Sequence, residues 1–131
     1  MSFGCFFIQQ VEPRPLNAIG KTAGKLLSIL GTGTYYDVGA GLGSCGKMHH
    51  DNEMVVAVNH AQMKNGGNPN KNPRCGKKVK IVGKTKKAVE ATIVDTCPGC
   101  AKGSLDMSPQ LFKKVCGALT LGVCQIKWGF I

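Results

Sequence analysis

The chain has 131 residues, with 17 Lys or Arg against 7 Asp or Glu, a formal net charge of +10. That length suits one domain with one small core, which stays marginal without added constraints. No stretch is apolar over enough residues to span a membrane, and the aromatic content of 6%, with no nucleic-acid motif, argues against a nucleic-acid partner.

In chain order, Met1 to Ile8 holds Phe3, Phe6, Phe7 and Ile8 but has neither a basic start nor a full apolar core, so no signal peptide is recognised there. Val11-Glu12-Pro13-Arg14-Pro15 reads as an extended linker, since each proline disfavours helix at the residue before it. Leu16, Ile19, Ala23, Leu26, Leu27 and Leu30 follow at spacings of mostly three and four, with Lys21 and Lys25 between them. This is the pattern of a short basic amphipathic helix. Residues 1–30 are therefore read as a leader or linker and residues 31–131 as the domain.

Past Leu30 the pattern changes to strands and turns. Thr32 to Asp37 holds β-formers, and a glycine-rich loop, Gly39-Ala40-Gly41-Leu42-Gly43, follows. Met54 to Val58 is a compact apolar strand. Asn65 to Pro73 is a long turn region. Lys77 to Val82 and Lys87 to Val94 read as a hairpin around Gly83-Lys84, with Val79 and Ile81 alternating with lysines as on a half-buried strand. Ser108-Pro109 opens a helix, because serine caps well and proline suits the first helical position. Leu111, Phe112 and Val115 give that helix its apolar side, and Gly117 can end it. Gly122 to Ile131 closes the chain as a strand, with Cys124, Ile126, Trp128 and Phe130 on one face. About six strands, one helix and glycine turns indicate an all-β barrel or sandwich.

Seven cysteines are many for this length and read as a disulfide framework made in an oxidising compartment. Closeness in sequence suggests Cys97–Cys100 and Cys116–Cys124. Between Lys71 and Lys87 lie eight basic residues and no acidic one. Such a face attracts anions, whether acidic glycan or phospholipid headgroup, or else only keeps the protein soluble.

Chemistry concentrates between Ile93 and Pro109. Asp95 ends a strand, Asp106 stands just before a helix cap, and the loop between them doubles back, so both carboxylates can face one cleft. Glycosidic cleavage uses such a pair, one to protonate the leaving oxygen and one to act on water or sugar. Two nearby carboxylates also raise each other's affinity for protons. Alternatively, Asp106 only favours the helix start and Asp95 only terminates a strand. Cys97-Pro98-Gly99-Cys100 is a CxxC without a second CxxC to complete a zinc set, and His49, His50 and His60 are distant in sequence. It reads as a loop-tightening disulfide, with no metal and no cofactor expected.

Val94-Asp95, Ser104-Leu105-Asp106-Met107-Ser108-Pro109, Gly33-Thr34-Tyr35-Tyr36-Asp37, Gly43-Ser44-Cys45-Gly46 and Asn72-Pro73-Arg74-Cys75-Gly76-Lys77-Lys78-Val79 together resemble the double-psi β-barrel proteins of the expansin and RlpA-like group. Within it, the chain is most similar to the fungal loosenins, which have a single expansin-related domain. The resemblance covers roughly Gly31 to Ile131.

It implies a six-stranded double-psi barrel with an open polysaccharide groove in a secreted, extracellular or cell-wall protein that loosens the wall without hydrolysis. The partner would be cellulose, xyloglucan, chitin or pectin, and a monomer is expected. Asp106 matches the essential groove aspartate, Asp95 the upstream strand-end aspartate and Thr34 the groove threonine, while Tyr35 or Tyr36 offers the groove aromatic. The family pattern also implies the bridge Cys45–Cys75, which leaves Cys5 over. Lys77, Lys78, Lys80, Lys84, Lys86 and Lys87 would add an electrostatic part to glycan binding. Two departures matter. No second, carbohydrate-binding domain is seen, and Tyr35-Tyr36-Asp37 resembles the Tyr-aromatic-Asp of inverting family-45 endoglucanases, in which the aspartate is the base. An endoglucanase or lytic transglycosylase is thus one alternative, with Asp37 beside Asp106, and a barwin-like papain inhibitor or effector is another.

Overall fold

A computed structural model describes residues 27–131. Cys5 and the predicted amphipathic helix up to Leu26 lie outside the described residues. Six strands form a closed barrel: β1 (Ile29–Tyr35), β2 (Val55–Asn59), β3 (Lys78–Val82), β4 (Ala88–Cys97), β5 (Leu105–Met107) and β6 (Cys124–Phe130), in the ring order β1-β5-β2-β4-β3-β6. The pairs β1–β5 and β2–β4 are parallel and the other four antiparallel. This is the six-stranded all-β barrel expected. Among the described residues, two helices complete it where one was expected, α1 (His60–Met63) and α2 (Pro109–Cys116), with three short 3-10 turns.

The core follows from the alternation of side chains along strands. Val79 and Ile81 of β3, Ile126 and Trp128 of β6, and Leu105 and Met107 of β5 are buried in it. Helix α2 closes one side with Leu111, Phe112 and Val115. Its start matches expectation: Ser108 is the cap, and its Oγ accepts from Leu111 N at 3.2 Å. Gly117, at φ 108°, ends it. Strand β2 buries all five residues, as its continuous apolar run suggests.

Three elements differ from the sequence reading. Strand β1 begins at Ile29 rather than Thr32, because Ile29 and Leu30, assigned above to the leader, pair with Trp128 and Lys127. Strand β4 runs past Val94 to Cys97, paired along β2 by Ala57↔Asp95, Val58↔Thr96 and Asn59↔Cys97. Leu105–Met107, read as a loop before a helix, is a strand held between β1 and β2. Asp106 is therefore a strand residue and not a helix-start charge.

The bridges Cys45–Cys75, Cys97–Cys100 and Cys116–Cys124 are all present. The first closes a separation of 30 residues, and a loop of that size is worth about 3–4 kcal/mol in the chain-entropy account.

Candidate functional site

Register brings the predicted residues into one row. Thr34 on β1 pairs with Asp106 on β5, Asp106 with Ala57 on β2, and Ala57 with Asp95 on β4. Strand neighbours lie about 4.7–4.9 Å apart, so the row crosses four strands with an alanine between the two aspartates. The register of β2 against β4 shifts between Val56 and Ala57: Val56 faces Ile93 while Ala57 faces Asp95, so Val94 is the extra residue. Without this bulge, Val94 would take the place of Asp95 in the row. Re-aiming a side chain is a common use of bulges beside functional sites. Val94 packs instead with Val38 and Val55, and Tyr36 lies against that small apolar cluster.

Each polar group has a defined partner. Thr34 Oγ1 donates to Asp106 Oδ1 at 2.8 Å. Asp95 Oδ1 accepts from Ser44 N and from Thr96 N, both at 2.7 Å. Ser44 can come this close because Gly43 lies against β4: a Cβ there would be 2.4 Å from Val94 O. Burial raises the Asp106 carboxyl above its ordinary range; the Thr34 hydrogen bond opposes that rise and the Asp95 charge adds to it. Burial also lifts the Tyr36 phenol well above its ordinary value, helped by Asp95 and Asp106. Tyr36 thus stays a neutral hydroxyl beside two carboxyl groups.

The two tyrosines part company. Tyr35 turns inward, its ring 4.8 Å from that of Phe112 and its hydroxyl donating to Leu119 O at 3.0 Å. Tyr36 lines an open cleft of about 280 Å³ together with Asp37, Gly43, Lys47, His49 and Asp95. The structure thus brings Thr34, Tyr36, Asp95 and Asp106 together, sets Asp37 on the exposed rim, and sends Tyr35 to the core.

Ser44, Lys47 and His49 were missed as site residues. Ser44 stood in a motif already noted, but only the fold brings its amide to Asp95. His49 Nδ1 meets Glu53 Oε1 at 2.9 Å, and Glu53 Oε2 accepts from His50 N at 2.8 Å. Together these bonds hold Glu53 below the ordinary carboxylate range and fix one wall of the cleft.

The basic face stands elsewhere. Lys78 and Lys80 lie on β3, with Lys77, Lys84, Lys86 and Lys87 flanking it. In the ring, β3 is three places from β5 in either direction. The strand is next to β4, which carries Asp95, yet none of the six lysines lines the cleft beside Tyr36 and Asp95.

No family model matches the sequence. The Allergen Asp f 7 homolog of Arthroderma benhamiae is 41% identical over 83 residues, which are 63% of this chain and 27% of that protein, so the chain spans about a quarter of that relative. The solved structure of a Streptomyces papain inhibitor matches with a TM-score of 0.68 and 31% identity, over 77% of this chain and 91% of the inhibitor. The chain belongs to the expansin-like double-psi β-barrel family. A second member, an aspartate-to-asparagine mutant of the Clavibacter michiganensis expansin in complex with cellohexaose, matches this expansin-like barrel with a TM-score of 0.66 and 25% identity, over 79% of the chain and 50% of that expansin.

Proposed function

We propose that the protein is secreted and binds cell-wall polysaccharide along the Thr34–Asp106–Ala57–Asp95 row, loosening the wall without cutting glycan. The observation that carries this reading is the row itself. Two carboxyl groups and a threonine hydroxyl lie across neighbouring strands, beside the neutral phenol of Tyr36. Carboxylates accept hydrogen bonds from sugar hydroxyls, and an aromatic ring offers its face to a sugar ring. Asp106 Oδ1 is engaged by Thr34, which leaves its second oxygen for a ligand. The expansin relative solved with cellohexaose supports a β-glucan as the ligand class. Three disulfides support an oxidising, extracellular setting.

The non-hydrolytic part rests on Asp37. Inverting hydrolysis needs a base that positions a water opposite the acid. Asp37 is exposed and caps no backbone amide of the turn that follows it, so nothing orients it for that role. A second reading, inhibition of a papain-like protease, is favoured by one observation: the match to 91% of the papain inhibitor at 31% identity.

A binding panel separates these readings. Calorimetry with cellohexaose is expected to show binding, and incubation with cellulose, xyloglucan, chitin, pectin and peptidoglycan to release no reducing ends. Reducing ends from any of them would overturn the non-hydrolytic reading. Absence of glycan binding together with stoichiometric papain inhibition would give the case to the inhibitor. Salt adds a further check. At physiological ionic strength, charges act over about 8 Å, and cellohexaose carries none. Cellohexaose affinity is therefore expected to hold constant from low to high salt, while retention on pectin falls. Salt-sensitive cellohexaose binding would mean that the cleft, and not the lysine face, carries the electrostatics.

A further inference from the structure

We propose that Cys97, Cys100 and Asp106 form a zinc site once the Cys97–Cys100 bridge has been reduced by a thiol. One ligand atom from each of the three residues lies within 4.8 Å of the others, and all three residues are half-buried. Two thiolates and a carboxylate are a donor set that zinc accepts, with Zn–S near 2.3 Å and Zn–O about 2.0–2.2 Å. In a tetrahedron this needs the sulfurs roughly 3.8 Å apart, so the bridge must open but the backbone need move little. The fold supplies the third ligand: Asp106 reaches the CxxC because β5 is inserted beside β2, whose last residue, Asn59, pairs with Cys97. Three protein ligands leave one position for water.

Chemically, two thiol molecules give up two electrons and two protons, the Cys97–Cys100 bond breaks, and the reductant leaves as its own disulfide. Zinc then displaces the two cysteine protons. The Cys97–Cys100 bridge is accessible to such a reductant. Cys116 is 1% exposed, whereas Cys97 and Cys100 are partly open to solvent and joined by the exposed pair Pro98-Gly99. No heavy atom outside its chain neighbours would meet a Cβ on Gly99 within 4 Å, so that turn has room to open.

The test treats the full chain with an equimolar phosphine reductant and titrates Co²⁺ as the spectroscopic probe for zinc. The reduced protein is expected to develop thiolate-to-cobalt charge-transfer absorption that saturates at one ion per chain and is displaced by zinc. The oxidised protein is expected to show none. Asp106→Asn is expected to weaken cobalt binding at least tenfold, and Cys97→Ser with Cys100→Ser to abolish the band. Independently of any variant, zinc is expected to slow alkylation of Cys97 and Cys100 in the reduced wild-type chain. The proposal is overturned by a reduced protein without the band, by a band that survives in the double-serine protein, by equal affinity in Asp106→Asn, or by alkylation that zinc does not slow.

Discussion

Asp106→Asn is expected to weaken cellohexaose binding by about 10- to 100-fold while the barrel melts at the same or a higher temperature at neutral pH. The loss corresponds to one charge-assisted hydrogen bond, roughly 1.5–3 kcal/mol. The thermal result follows from the direction of the Asp106 shift. Burial is its main cause and raises the carboxyl's affinity for a proton. A group whose folded pKa is raised contributes stability that is fully present below its unfolded value and is lost as pH rises through the folded value. At neutral pH the wild type therefore carries a half-buried charge that asparagine lacks, while the amide oxygen can still accept from Thr34. The melting difference is expected to shrink as pH falls through the acidic range and Asp106 takes up its proton. A helix-start aspartate would behave in the opposite way, losing about 0.3–1 kcal/mol on neutralisation. Asp106 pairs instead with Thr34 and Ala57 inside the sheet. Asp37→Asn is the companion, expected to leave both affinity and melting close to wild type. Undiminished binding by a folded Asp106→Asn protein would remove Asp106 from the site.

Gly103→Ala is expected to cost about 2–4 kcal/mol, combining a backbone conformation unsuited to a side chain with a steric clash. Gly103 has φ +93°, and a Cβ there would lie 2.4 Å from Leu30 O, a backbone atom of β1. The same residue accepts from Trp128 Nε1 at 2.8 Å and donates to Gln62 Oε1 at 3.0 Å. Displacing it therefore disturbs the indole at the centre of the core and the lead-in to β5. For a domain of this size the change is roughly 10–20 °C in melting temperature. Gly99→Ala, on the same loop but with open space around it, is expected to change stability by no more than about 0.5 kcal/mol. Equal losses at the two positions would show that the close approach to Leu30 is not what Gly103 secures.

Much of the architecture was legible in local pattern. The apolar run Met54 to Val58, the lysine–valine alternation of Lys77 to Val82 and the Ser108-Pro109 cap each became the expected element, within one or two residues at the ends. What escaped the reading depends on distant partners. Leu105–Met107 is three residues long, too short to display alternation, and is a strand because β1 and β2 flank it. The choice between Tyr35 and Tyr36 turns on strand register: Gly33 and Tyr35 pair with Leu105 and Met107, the buried residues of β5, which sends Tyr36 to the other face. The bulge that carries Asp95 into the row leaves no mark in the Ile93-Val94-Asp95 sequence. The lysine run was visible as charge, but that none of its six lysines lines the cleft follows from a ring order that does not follow the order of the chain.

That ring has a consequence for how anything can bind. Each of the six strands has a neighbour on both sides, so among the described residues the barrel has no edge strand. A closed sheet offers no template for an added strand and no flank for edge-to-edge aggregation. A peptide that recognises its partners by lengthening a sheet finds no edge strand on this barrel to extend. Under either proposed reading, the glycan or the protease is therefore expected to be met by side chains along the row and by the turns that join the strands, and changes of specificity are expected to arise in those turns while the six strands stay as they are.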